Sequence, residues 1–400
     1  MRAEIVAIGD ELTSGQRLDT NSQWLSQQLG NLGISVGFHT TAADDLAPLV
    51  DCLRIAADRA EIILVSGGLG PTADDLTREA ISLAFERPLA LDAESLAQIE
   101  RRFASRGTTM PERNRVQAMF PTGCQVIPNP NGTAPGIDLT LDRSGRTVRL
   151  FALPGVPIEL KEMWAQTVAA AIGGTSTAPT KVIRHYELKC FGVGESRLEE
   201  MLPDMIRRGR EPQVGITVHQ ATITLRVTTN GKDDVECQAQ AQPTLDEIRT
   251  ILGPLVFGET GDELQDAVGR MLAAANQTVA CCESATAGLI ALLLSESPTA
   301  APQFRGGRIA PQLEAYVDKG GESSQALAEQ AAQKIKAESA SDYGVAIGPI
   351  DDSGNYHFAV ADQQGVISNA SQTVGHPEIH RPRAAKQALD LLRQRMMSAG

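Results

Sequence analysis

The segment Ile62-Ile63-Leu64-Val65-Ser66-Gly67-Gly68-Leu69-Gly70-Pro71-Thr72 constrains the fold more than any other. Four consecutive apolar residues predict a strand buried on both faces, as in a parallel sheet. The glycines that follow allow positive φ and let the backbone come close to a ligand. A helix is expected from about Ala73 to Phe85. The same order recurs upstream. Residues 4–8 form a short apolar strand closed by Gly9-Asp10-Glu11. Asp19 to Leu32 reads as a helix, with Trp24, Leu25, Leu29 and Leu32 on one face and Gly33 just past its end. Ile34, Val36 and Phe38 alternate as in a strand, and Leu46, Leu49, Val50 and Leu53 have helical spacing. Repeated strand–helix units predict an α/β domain: a mostly parallel sheet with helices on both faces. Ligands of such sheets bind outside the carboxyl ends of the strands, where Asp10, Glu11 and the 67–72 loop fall.

Two further segments follow, so three domains are expected: 1–172, 173–258 and 259–400. Gly173 to Thr180 is a run of small residues and marks the first boundary. Residues 181–257 read as a small α+β domain in the order β-α-β-β-α-β. Gly258-Glu259-Thr260-Gly261 marks the second boundary. The remainder alternates helix and strand: helices at 263–275, 288–297, 324–340 and 381–397, and strands at 279–283, 343–347 and 356–360.

A net charge of −13 argues against a protein that coats nucleic acid, which needs clustered Lys and Arg. Aromatics are only 4%, too few for base-stacking platforms. No apolar stretch approaches a membrane span, and the amino terminus lacks a signal-peptide pattern, so a cytoplasmic protein is expected. The six cysteines show no Cys-x-x-Cys pair, and no two histidines have metal spacing on one helix.

The 67–75 segment carries the chemistry. Amides of Gly67, Gly68, Gly70 and Thr72, with a helix amino terminus behind them, form a candidate anion cradle. Asp74 and Asp75, with Asp10, are candidate ligands for a divalent cation that bridges phosphate oxygens. Donors for phosphate beside acids for a metal suit hydrolysis of a phosphoanhydride. The plain structural alternative is a capping box between Thr72 and Asp75. Two more loops follow strands. One holds Asn131, Thr133 and Gly136. The other holds Pro154 and Gly155, with Glu159 and Glu162 on the next helix. Arg102, Arg106, Arg113 and Arg115 form a basic patch that reads either as a solvated face or as a reach toward phosphate.

Ile8-Gly9-Asp10-Glu11-Leu12, Asp19-Thr20-Asn21, the stretch from Gly67 to Thr77, Asn114 with Gln117-Ala118, Asn131 to Gly136 and Leu153 to Pro157 stand in the order typical of CinA proteins. Gly192-Val193-Gly194-Glu195-Ser196 also resembles that family. The resemblance implies a molybdopterin-binding-like first domain with metal-dependent ADP-ribose pyrophosphatase activity. It implies a deamidase-like third domain acting on nicotinamide mononucleotide, and a homodimer. The expected cofactor is a divalent metal ion, with a monovalent cation as a further expectation. The expected partner is a small phosphorylated nucleotide, with neither nucleic acid nor membrane.

The third domain departs from the family. Where the deamidases carry Ala-Glu-Ser-Cys-Thr-Gly-Gly, this chain has Cys282-Glu283-Ser284-Ala285-Thr286-Ala287-Gly288. The family tyrosine falls on Pro311 and its lysine on Tyr316. The family's glycine-rich loop is reduced to Ile347-Gly348-Pro349-Ile350, and a late Gly-Asp-Arg becomes Gly375-His376-Pro377. A serine hydroxyl without a base is a poor nucleophile, so Ser284 is expected to cap the helix beginning near Gly288. The leading function is therefore hydrolysis of a nucleoside-diphosphate sugar by the first domain. The rivals are a binding module without turnover and an active deamidase.

Overall fold

The computed structural model describes residues 1–143, 145–173, 181–207, 209–317 and 323–399. Of the linker expected over 173–180, residues 174–180 lie outside the described residues, and Gly173 ends a helix. The chain divides into two compact units: residues 1–184 with 230–237, and residues 185–229 with 238–400. No described helix is long and apolar enough to cross a membrane.

The first unit begins with β1 (Arg2–Ile8), α1 (Asp10–Thr13), α2 (Thr20–Asn31), β2 (Ser35–Ala42), α3 (Leu46–Arg59) and β3 (Ile62–Ser66). After the glycine loop come α4 (Thr77–Phe85), β4 (Leu89–Leu91), α5 (Ala93–Ser105), β5 (Met119–Pro121) and β6 (Gln125–Ile127). The strands β7 (Gly136–Arg143) and β8 (Arg146–Leu153) and the helices α6 (Pro157–Met163) and α7 (Ala169–Gly173) complete it. The main sheet has the order β2-β1-β3-β8-β7-β6. β2, β1, β3 and β8 are parallel, and β7 and β6 are antiparallel. The mostly parallel sheet is as the sequence predicts; the antiparallel pair β7–β8 is an addition.

Strand alternation explains the two faces of this sheet. Ala3, Ile5, Ile62 and Leu64 pack with Leu25 and Leu29 of α2 and Leu160 and Met163 of α6. Val6, Ile8, Ile63 and Val65 pack with Leu49 and Leu53 of α3 and Ile81 of α4. Each large apolar side chain so buried contributes about 1.5–3 kcal/mol. Asp19 caps α2, accepting from the Ser22 amide at 2.9 Å. α4 starts at Thr77 rather than Ala73, because residues 72–75 close a turn first.

The following elements are β9 (Val182–Cys190), α8 (Glu195–Met201), β10 (Gln213–His219), β11 (Thr222–Gly231), α9 (Asp234–Leu252) and β12 (Val256–Glu259). They keep the expected β-α-β-β-α-β order, and their sheet runs β10-β11-β9-β12. Next come α10 (Leu264–Ala275), β13 (Val279–Glu283), α11 (Leu289–Glu296), β14 (Phe304–Ile309), α12 (Leu313–Tyr316), α13 (Ser324–Glu338) and β15 (Tyr343–Ile347). β16 (Asn355–Ala361), β17 (Val366–Gln372) and α14 (His380–Ala399) end the chain. The last sheet is ordered β14-β13-β15-β16-β17. Its two edge strands are absent from the sequence reading. β14 reads Phe-Arg-Gly-Gly-Arg-Ile and β17 reads Val-Ile-Ser-Asn-Ala-Ser-Gln, and neither has the apolar run that marks a central strand.

Candidate functional site

β1, β3 and β8 end side by side, and their loops enclose a cleft of about 460 Å³. Gly67, Gly68, Gly70, Asp74 and Asp75 line it, as do Pro154 and Gly155 from the turn after β8 and Thr133 from the loop that precedes β7. Gly67 must be glycine: its φ is +113°, and a Cβ would stand 2.5 Å from the Ile8 carbonyl oxygen. Its amide extends the sheet by donating to the Leu153 carbonyl at 3.0 Å.

The loop is closed by Asp75. One carboxylate oxygen accepts from the Gly70 amide at 2.7 Å, and the other from the Thr72 amide at 2.8 Å and from the Thr72 hydroxyl. The side chain of Asp75 thus reaches back to Thr72 as in the predicted box, but it holds a turn ahead of α4, whose N-cap is Leu76. Gly67, Gly68, Gly70 and Thr72 are the phosphate donors expected from the sequence. Three of these amides are already engaged inside the protein, leaving Gly68 of the four. Asp75 likewise has both oxygens engaged in closing the loop.

Asp10 is exposed at the start of α1 and pairs with a residue the sequence reading did not single out. The Asp10 amide donates to Asp44 at 2.9 Å, and the Asp44 amide donates to Asp10 at 3.1 Å. Asp44 lines the cleft, together with Glu11 and Arg17. Burial pushes the Asp44 carboxyl above the usual aspartate range. The Asp10 amide opposes the shift, and the charges of Asp10, Asp74 and Glu11 add to it. Asp44 follows the strand β2 in the short turn before α3, so it sits at the carboxyl edge beside β1. That adjacency was the only signal that could have found it.

Among the described residues no three His, Cys, Asp or Glu side chains form a ready metal nest. A magnesium-like ion needs only one or two carboxylates when phosphate oxygens and waters complete its shell. Asp10 and Asp44 fit that lighter requirement, each keeping one oxygen outside the reciprocal pair.

The remaining predicted residues serve the loops. The Asn131 side chain donates to Glu162 and its amide donates to Asn129 at 3.1 Å. Gly136 is buried at the start of β7, where a Cβ would stand 2.6 Å from the Ala152 carbonyl oxygen. Neither lines the cleft. Arg102 donates to the carbonyls of Asn129 and Pro130, while Arg106, Arg113 and Arg115 are exposed. Arg78, only 2% exposed, donates to Leu69 at 2.8 Å and Pro135 at 3.3 Å, tying the glycine loop to the 129–136 loop. Burial lowers its pKa to about 10.

In the carboxy-terminal sheet, Ser284 does not cap α11. Its hydroxyl donates to the Pro311 carbonyl at 3.3 Å. The cap is Glu283, which is fully buried. Its carboxylate accepts from the Thr286 hydroxyl at 2.6 Å and from the amides of Gly288, Ile290 and Ala291 at 3.1, 2.9 and 2.8 Å. A carboxylate there satisfies the otherwise unpaired amides of the first turn. The Tyr316 phenol donates to Glu338 at 2.8 Å, with Arg308 and Lys334 over its ring. Burial and that bond push its pKa well up.

Three family models match the chain: "Probable molybdopterin binding domain" over residues 4–201, "Damage-inducible protein CinA KH domain" over 185–258, and "CinA C-terminal domain" over 261–396. A CinA-like protein of Thermosynechococcus vestitus is 39% identical over 87% of this chain and 84% of its own. A CinA-like protein of Gloeothece citriformis is 34% identical over 99% of both chains. A solved structure of the protein CinA from Thermoplasma acidophilum, itself of unknown function, is 30% identical with a TM-score of 0.39. It covers 42% of this chain and 96% of that one. The chain belongs to the CinA family.

Proposed function

We propose that the amino-terminal domain of this CinA-family chain hydrolyses a nucleoside-diphosphate sugar, ADP-ribose being the representative substrate, with a divalent cation. The observation that carries this reading is the reciprocal Asp10–Asp44 pair at adjacent strand ends, of which Asp44 lines a glycine-walled cleft. Asp10 and Asp44 would hold the cation against the diphosphate, where it supplies charge neutralisation to the phosphoryl oxygens. Gly68 and Arg17 remain as donors to phosphate, and Asp75 keeps the loop in shape. Asp74 lines the same cleft and is the carboxylate we assign to take the proton of the attacking water. Water adds to one phosphorus and the anhydride bond breaks, giving AMP and ribose 5-phosphate from ADP-ribose. The test is AMP release by the purified protein with magnesium or manganese.

A second reading, a nucleotide-binding module without turnover, is favoured by one observation: the amides of Gly67, Gly70 and Thr72 are engaged within the protein. Ligand-induced thermal stabilisation without AMP release would select it. For the carboxy-terminal domain we propose a deamidase-like fold without deamidase activity, since Ser284 donates to a carbonyl that cannot take its proton. The assembly is proposed to be a homodimer; sedimentation as a 42.6 kDa species alone would contradict this.

A further inference from the structure

Along α14, Arg383, Gln387, Leu391 and Gln394 recur at helical spacing, so they share one face. That face, the end of β17, the 191–195 segment and the turn joining β10 to β11 border a cavity of about 690 Å³. All of these elements belong to one compact unit. Small-molecule sites typically measure about 300–1,000 Å³. Gly192-Val193-Gly194-Glu195, part of the motif that resembles the family, forms one wall. Neither Ser284 nor Pro311 nor Tyr316 lines the cavity, so it is separate from the deamidase-like position.

One cation on this wall lacks a counter-ion. Further along the same helix, Arg393 and Arg395 are paired with Asp390 and Asp362. Arg383 is half-buried and forms no ion pair among the described residues. Its one hydrogen bond runs from Nη1 to the Val374 carbonyl at 3.1 Å. A guanidinium has five donors. Here Nε and Nη2 have no partner, and neither is shut off from solvent. One turn on, Gln387 accepts from the Tyr356 hydroxyl and donates to Ser371 at 3.0 Å, which ties β17 to the helix beside Arg383. Asp390, also on the wall, accepts from Arg393 and Gln394.

Much of the accessible wall is apolar. Val193, Val218, Ala221, Val374 and Leu391 line the cavity, and none of them is buried. Val218 and Val374 are 48% and 58% exposed. A ligand that covers these side chains gains from removing them from water. A planar carboxylate matches the guanidinium fork with charge-assisted hydrogen bonds. We infer that this cavity binds a small organic acid, with its carboxylate on Arg383 and an apolar body against Val218, Val374 and Leu391. A phosphate dianion suits it less, because one guanidinium faces two charges and the Glu195 carboxylate lies on the same lining. An ammonium-headed ligand would meet Arg383 itself. The assignment is independent of the hydrolysis proposed for the first domain.

The experiment is calorimetric titration of the full chain with octanoate at low salt, compared with acetate, octylamine and octyl phosphate. Octanoate is expected to saturate one site. Arg383→Gln should weaken it by about tenfold. Val218→Trp, which fills part of the cavity, should weaken it by a similar factor. Arg381 is exposed and outside the lining, so Arg381→Gln should match the parent. Acetate keeps the charge without the apolar body and should bind at least about tenfold more weakly than octanoate. Octylamine should not displace octanoate. No saturable octanoate binding by the folded parent overturns the inference, as does equal affinity in the parent, Arg383→Gln and Val218→Trp. Octyl phosphate binding more tightly than octanoate, or displacement by octylamine, overturns the carboxylate assignment. If Arg383→Gln does not fold, the parent series still decides: equal affinity for the three eight-carbon ligands contradicts it.

Discussion

The Asp10 amide donates to the Asp44 carboxylate at 2.9 Å, and the Asp44 amide donates back to Asp10 at 3.1 Å. Two acids at neighbouring strand ends thus hold each other's backbone while Asp74 and Glu11 raise the negative charge around them. A cation would relieve that repulsion. Asp44→Asn is expected to weaken manganese binding by at least about tenfold in the presence of a non-hydrolysable diphosphate, read by calorimetry. The fold should persist by circular dichroism. Unchanged metal affinity would remove Asp44 from the cation set.

Asp75 is expected to behave differently. Its carboxylate receives the amides of Gly70 and Thr72, so Asp75→Ala leaves donors in the loop without their partner. Stability should fall by about 1–3 kcal/mol. Nucleotide affinity should fall as the loop loosens, while metal affinity without nucleotide stays at the parent level. Loss of metal binding alone, with stability intact, would show Asp75 to be a ligand after all.

The pH dependence of stability should report the Arg395–Asp362 pair. Arg395 makes two bonds to Asp362, at 2.7 and 3.0 Å, and the hydrogen bond from Arg395 holds the Asp362 carboxyl below its ordinary range. A depressed carboxyl binds fewer protons folded than unfolded. Its contribution is present above the ordinary aspartate value of about 3.9 and is lost as pH falls through the lower folded value. Asp362→Asn should lower the melting temperature at pH 7 and narrow its gap from the parent between about pH 4 and pH 2. A gap that is constant across that range would mean the pair contributes nothing through charge.

Nicotinamide mononucleotide should not be deamidated. Ser284 donates to the Pro311 carbonyl, and the Tyr316 phenol is directed to Glu338 with its pKa raised, which makes it a poor base near neutral pH. Incubation should yield neither ammonia nor nicotinic acid mononucleotide, and Ser284→Ala should match the parent. Turnover abolished by Ser284→Ala would overturn this.

The sheet and its cleft-bearing edge were legible because Ile62 to Val65 and residues 4–8 carry buried-strand runs that end in glycine and acid. Asp10, Gly67, Gly68, Thr133, Pro154 and Gly155 could be placed by that rule alone. What escaped depends on where a side chain goes once the chain has folded. Asp75 looks like a metal ligand beside Asp74, yet the turn directs both its oxygens inward. Asp44 lies far from Asp10 in sequence and meets it only because β2 runs parallel to β1. Arg78 reads as an ordinary helix residue, and its burial follows from two loops closing over it. Glu283 was overlooked beside Ser284 because burial, which the sequence does not display, turns it into the helix cap.

The most direct measurement is AMP formation from ADP-ribose by the purified chain, followed with magnesium or manganese and again after chelation. AMP and ribose 5-phosphate are expected in equal amounts with metal and not after chelation, with a loss of about 10²-fold or more in Asp44→Asn and Asp10→Asn, which remain folded. Saturable binding of ADP-ribose with no AMP released at any metal concentration would contradict it.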